Sequence, residues 1–298
     1  MKKIMFVLLL AIATSCLAWP TQTITVVVPY PPGGVNDQLA RLVQPDLESI
    51  FRVPVQIKNL PGAGNSAAIN YMMSHNDNHT FMITMDDLIT GPLSQQTHYY
   101  NNFKILTVIG QSPYVVFGGP TAGIDRFKNQ IRQHKIVNVA NNGLNGGAYL
   151  WTTGLRSPLT INPIPYKGGG PLMLDVIAGH TEYGVISLPA VHTQLQKSNA
   201  IPIMVSTQNR HPLYPLVPTY TELGLRGPPA VTWFGVFTRT DTSTTACEQF
   251  SNAVRLIVSN NVNIQELSAG GLNLVNLPPK LAEQFFMQQI KHFEQQKP

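Results

Sequence analysis

Two short glycine-bearing segments, far apart in the chain, limit its fold more than any other feature. One is Val28-Pro29-Tyr30-Pro31-Pro32-Gly33-Gly34-Val35-Asn36-Asp37, and the other is Pro165-Tyr166-Lys167-Gly168-Gly169-Gly170-Pro171. Each follows a run that reads as a buried strand, Ile24 to Val28 and Ile161 to Tyr166, and each precedes a run with helical spacing. Repeated strand–loop–helix units argue for parallel sheets built from βαβ crossovers. The same geometry leaves backbone N–H groups unpaired at the positive end of a helix, where an anion binds. Two such loops facing one another would clamp a small carboxylate.

The rest of the chain keeps the alternation. Val35, Leu39, Leu42, Val43, Leu47 and Ile50 recur at helical spacing, and Pro45 within that run predicts a kink or a break. Val53 to Ile57, Thr80 to Met85, Ile105 to Ile109, Tyr114 to Phe117, Lys135 to Ala140, Tyr183 to Ser187, Ile201 to Ser206, Val231 to Thr238 and Leu272 to Asn276 read as further strands. A last helix from Pro279 places Leu281, Phe285, Phe286, Ile290 and Phe293 on one face. Proline and glycine cluster at Gly118-Gly119-Pro120, and again at His211 to Pro218 and Gly227-Pro228-Pro229, which reads as linkers. The fold class is therefore α/β.

The amino terminus has the form of a signal peptide. Lys2 and Lys3 precede an apolar run from Ile4 to Ala13, too short to span a bilayer, and Cys16-Leu17-Ala18 predicts cleavage before Trp19. Lipidation at Cys16 and a retained anchor are the alternatives. Without that segment Cys247 is the remaining cysteine, so no intramolecular disulfide forms, and its helical setting predicts a buried thiol. Charged residues make up 12% of the chain and the basic ones are scattered, which excludes a nucleic-acid footprint despite a net charge of +5. There is no dinucleotide or Walker glycine pattern, no nucleophile elbow and no zinc-helix motif, and the turn Asn76-Asp77-Asn78 separates His75 from His79. A binding protein without cofactor or metal is expected rather than an enzyme.

The first glycine loop, continued through Gln38-Leu39-Ala40-Arg41, resembles the opening signature of the tripartite tricarboxylate transporter substrate-binding proteins, also called Bug-type periplasmic receptors. Asn59-Leu60-Pro61-Gly62-Ala63-Gly64-Asn65, the 165–171 segment, Pro218-Thr219-Tyr220-Thr221-Glu222-Leu223-Gly224 and Trp233-Phe234-Gly235-Val236 resemble later motifs of that family, in the family's order. The resemblance implies a two-lobed periplasmic-binding-protein (type II, Venus-flytrap) fold, each lobe a mostly parallel sheet flanked by helices. On that template residues 19–120 with 231–298 form lobe 1, residues 121–230 form lobe 2, and residues 1–18 are removed. It implies a periplasmic, monomeric receptor that hands a small carboxylate to permease subunits in the membrane. A subunit presenting its ligand to a membrane sensor, or a periplasmic enzyme, is the alternative. Dicarboxylates, tricarboxylates, acidic amino acids, aromatic carboxylates and amides all lie within the family's range.

The expected ligand-binding residues follow from the loops. Tyr30, Pro32, Gly33, Gly34, Val35, Asn36 and Asp37 come from the first, Gly64 and Asn65 from the second, and Tyr166, Lys167, Gly168, Gly169 and Gly170 from the lobe 2 loop. Ser187 ends a strand. Tyr30 and Tyr166 stand in matching places before their glycines, as walls for a ligand and hydroxyl donors. Asp37 has a capping role or accepts from a ligand donor, and Arg41 is placed to pair with it one turn on. Three departures from the family pattern matter: Asp86 and Asp87 replace small polar residues, the amide-rich Asn141 to Gly147 replaces a Ser-Pro-Gly-rich turn, and Pro45 interrupts the first helix. If Asp86 or Asp87 faces the cleft, it disfavours polyanions and favours a ligand with an amino group. Asn142 and Asn145 are candidate hydrogen-bond partners.

Overall fold

The computed structural model describes residues 19–62, 65–94, 98–143, 146–260 and 262–295. Its strands are β1 (Ile24–Val28), β2 (Val55–Asn59), β3 (Thr80–Met85), β4 (Phe103–Gly118), β5 (Ile136–Asn141), β6 (Thr160–Pro165), β7 (Tyr183–Ser187), β8 (Ile201–Val205), β9 (Val231–Arg239) and β10 (Asn273–Leu277). Its helices are α1 (Val35–Phe51), α2 (Ser66–Ser74), α3 (Asp87–Ser94), α4 (Ile124–Arg132), α5 (Gly147–Gly154), α6 (Gly169–Ile177), α7 (Leu188–Lys197), α8 (Thr244–Asn260), α9 (Val262–Ala269) and α10 (Pro279–Gln295). The expected signal segment, Gly64 and Asn145 lie outside the described residues.

The strands pair in the order β2-β1-β3-β9-β4-β7-β5-β6, with β8 and β10 also pairing with β4. In one lobe β1 lies between β2 and β3, parallel to both, and in the other β5 lies between β6 and β7, parallel to both. The antiparallel strands β4 and β9 join the two halves. Residues Phe103 to Pro113 of β4 pair with β9, and residues Tyr114 to Gly118 pair with β7. The change of partner thus falls at Pro113 and Tyr114, before the Gly118-Gly119-Pro120 cluster.

Period-2 alternation explains why these strands read as continuous apolar runs. Ile24, Val26 and Val28 enter one apolar cluster with Phe81 and Phe250, while Val27 enters another with Met82, Trp233 and Phe286. Helices cover both faces of the sheet, so both sides of β1 carry apolar side chains. The second lobe repeats this, with Val185 of β7 in one cluster and Ile186 in the other.

Four expectations are corrected. Helix α1 runs through Pro45, which is exposed, so the expected break is absent. The two strands expected between Ile105 and Phe117 are one, because Pro113 falls where β4 changes partners. Helices α3 and α9, each of 8 residues, and α4, of 9, were not expected. Leu281 is 49% exposed, and Ala282 takes the buried place on α10.

Candidate functional site

Each lobe contains a point where consecutive crossovers leave a strand end in opposite directions. From β1 the chain enters α1 and goes to β2, while β3 lies on the other side; from β5 it enters α5 and goes to β6, while β7 lies on the other side. Loops diverge at such points and leave a crevice outside the carboxyl ends of the strands. Gly34, Gly146, Gly168 and Ser187 are the N-caps of α1, α5, α6 and α7, and none supplies a side-chain cap. The first-turn amides of α1, α6 and α7 therefore have no side-chain cap from these residues and can serve water or an anionic ligand. Gly33 (φ +89) and Gly168 (φ +107) hold left-handed conformations that a side chain would strain.

The two crevices meet at Asp86 and Asp87. Asp86 is wholly buried and accepts hydrogen bonds from Tyr114 Oη at 2.8 Å and Thr232 Oγ1 at 2.6 Å, both on the strands that join the lobes. Asp87 opens α3, is half-buried, and accepts from Tyr30 Oη at 3.1 Å. The backbone N–H of Gly147, at the start of α5 in the other lobe, also donates to Asp87. Burial and the neighbouring Asp86 charge push Asp87 up to about 7, while the Tyr30 and Gly147 donors act against the shift. Burial also raises Asp86, against its two hydroxyl donors. Tyr30 and Tyr114 are driven well above their ordinary range by burial and by these carboxylates. Gly147 is required here, since a Cβ would run into Asp86 Oδ2 and the Tyr114 hydroxyl.

The other expected residues fall around this junction or away from it. Asp37 is 2% exposed and accepts from Gly33 N at 2.8 Å, Asn59 Nδ2 at 2.9 Å and Arg41 Nε at 2.9 Å. Its lone pairs are thus taken up within lobe 1; it closes the first turn of α1 and forms the expected pair with Arg41. Pro32, Gly33 and Gly34 are exposed, whereas Val35 is packed into the core. Asn36 and Asn65 are buried, each with one side-chain amide atom unpartnered. Asn142 is half-buried, and its Oδ1 lies beside Gly146. Ser187, 7% exposed, is paired in register with Tyr114 at the lobe 2 crevice.

Tyr166 does not occupy a place that matches Tyr30. Its strand, β6, is an outer strand, so the counterpart of the first glycine loop by topology is 141–147. Tyr166 donates its hydroxyl to Asp175 and also bonds Thr181, both in its own lobe. Lys167 and Gly170 are exposed, and Gly169 lies against Ile186. Tyr114 and Thr232 belong to the junction without having been singled out, and Asn141, Gly146 and Gly147 were named as members of a loop and not as contacts. Only the amide-rich loop 141–147 carried a local signal; Tyr114 and Thr232 are ordinary strand residues until folding brings them to Asp86. A cavity of about 900 Å³ lies between α5, residues 228–231 and α10, lined in part by Tyr114 and Gly147. It touches none of the ligand residues expected from the sequence. Among the described residues no group of His, Cys, Asp and Glu is arranged to hold a metal ion.

Comparison with known proteins agrees with this architecture. The model of the tripartite tricarboxylate transporter family receptor matches residues 39–296. BugT of Bordetella pertussis is 26% identical over 296 residues, covering 95% of this chain and 91% of that protein. A Rhodopseudomonas palustris protein solved with adipate superposes with a TM-score of 0.84 at 23% identity, over 93% of this chain and 97% of that one. MatC of the same organism, with bound malate, gives a TM-score of 0.82 at 21% identity, over 93% and 99% of the two chains. The fold is that of two-lobed periplasmic binding proteins, and the family match spans α1 to α10: this chain belongs to the family of tripartite tricarboxylate transporter receptors.

Proposed function

We propose that this chain is a periplasmic solute receptor that captures a small carboxylate between its lobes and delivers it to a membrane permease of the tripartite tricarboxylate type. The observation that carries this reading is the meeting of the two strand-end crevices, where Asp87 of one lobe, held by Tyr30, reaches Gly147 of the other. Lobe 1 comprises β1 to β3, the first part of β4, β9, β10 and the helices between them; lobe 2 comprises the second part of β4 and β5 to β8. Tyr30, Gly33, Gly34, Asn36, Asn65, Asn142 and Ser187 are the candidate contacts. Backbone amides at uncapped helix starts, together with ordered water, hold the carboxylate. Charge-assisted hydrogen bonds contribute about 1.5–3 kcal/mol each, so a few of them reach the roughly 8 kcal/mol of micromolar binding. Relatives solved with malate and adipate support a carboxylate as the class of ligand.

A thermal-shift screen of small carboxylates tests the reading. A ligand at 100 times its Kd stabilises the native state by about 2.7 kcal/mol, which raises Tm by several degrees. A hit that is returned chemically unchanged after incubation supports a receptor. Conversion of the hit to product, or no shift across the whole panel, overturns it.

A further inference from the structure

The α5 end of the crevice already holds a carboxylate, and it is the protein's own. Asp87 belongs to lobe 1, yet it accepts the N–H of Gly147 and lies against Gly146, the N-cap of α5 in lobe 2. That helix start is where the lobe 2 crevice would otherwise receive an anion. The groups that set the charge of Asp87 are Asp86, Tyr30 and the Gly147 amide, with no cation among them. Asp86 is closed off by Tyr114 and Thr232, which leaves the half-buried Asp87 as the acid a ligand meets. Asn36 in the first turn of α1 and Asn141 at the end of β5 are 2% and 0% exposed, and each keeps one amide atom unpartnered. Buried amide atoms without partners call for an acceptor and a donor from whatever fills the space.

We propose that Asp87 is a specificity residue that denies a second carboxylate its seat at α5 and selects a monocarboxylate bearing a protonated amine or an amide N–H. This rests on the receptor reading above. The ligand carboxylate then goes to the other uncapped helix starts, and its nitrogen donates to Asp87. A second carboxylate would find the start of α5 already occupied by Asp87, whereas an N–H donor finds an acceptor there.

The test uses matched pairs of probes that differ in one end group: succinate against 4-aminobutanoate, adipate against 6-aminohexanoate, and the homologous pairs of three to seven carbons. Isothermal titration of the full chain is expected to show the amino member of the best-binding pair at least tenfold tighter than its dicarboxylate. In Asp87→Asn and Asp87→Ser that preference falls to threefold or less, with both variants folded as judged by Tm. Equal or tighter binding of dicarboxylates by the native chain overturns the proposal, as does an unchanged preference in both variants, while leaving the receptor reading standing. Failure of every probe and of the wider carboxylate screen overturns the receptor reading, and the proposal with it.

Discussion

Asp87 and Gly147 face one another across the junction, and each has a measurable consequence. A carboxylate whose folded-state pKa is raised binds its proton more tightly in the native state than in the unfolded one. The stability that this supplies is fully present below the ordinary value near 3.8 and is lost as pH rises to about 7. Asp87→Asn is therefore expected to gain Tm relative to the native chain across that window, with a constant advantage above it, as read by thermal unfolding at a series of pH values. Gly147→Ala drives a methyl group into Asp86 and Tyr114. It is expected to cost about 1–3 kcal/mol in denaturant unfolding and to weaken carboxylate binding by holding the lobes apart. The sequence disclosed the acidic pair, because two adjacent carboxylates stand out in a chain with few charges. It could not disclose what holds them, since Tyr114 and Thr232 are 28 and 146 residues from Asp86. Asp37 was the easier case, because Arg41 is one helical turn away and the geometry of that pair is local.

At the level of elements, α1 shows how a local rule is overridden. Pro45 carries no N–H and crowds the preceding turn, yet the helix continues because Leu39, Val43 and Leu47 are buried against the sheet while Pro45 itself faces solvent. Pro45→Ala is expected to stabilise the protein by about 1–3 kcal/mol in urea unfolding, since it restores one hydrogen bond without disturbing the buried face. Strands were legible where both faces are covered, as in β1, β3 and β7, whose apolar runs have no competing reading. Helix α3 was not, because at 8 residues it offers too few turns for periodicity and is separated from β3 by Asp86 alone. The parallel drawn between Tyr30 and Tyr166 rested on glycine spacing alone. Strand order, which decides whether a loop borders a crevice, is a property of long-range pairing.

Across the whole molecule, the joint between the lobes is fastened at Ser206. Its Oγ accepts the N–H of Tyr114 at 2.9 Å and donates to the carbonyl of Ala230, so one buried hydroxyl ties both crossing segments together. Ser206→Ala leaves that amide and that carbonyl without their side-chain partner, which costs about 1–3 kcal/mol. The change is also expected to speed amide hydrogen exchange at residues 112–115 and 229–232 more than elsewhere; uniform exchange would contradict a fastening role. The crossing itself consists of paired strands, β4 and β9, running from Phe103 opposite Arg239 to Pro113 opposite Val231 with register shifts between Ile105 and Thr107 and between Val108 and Gly110. A hydrogen-bonded ribbon bends and twists but does not slide along its own length. For the receptor proposed above, opening and shutting would thereby be confined to rotation, and every closure would bring the same residues of the two halves back into alignment, as a door on a fixed pin always meets the same strike plate.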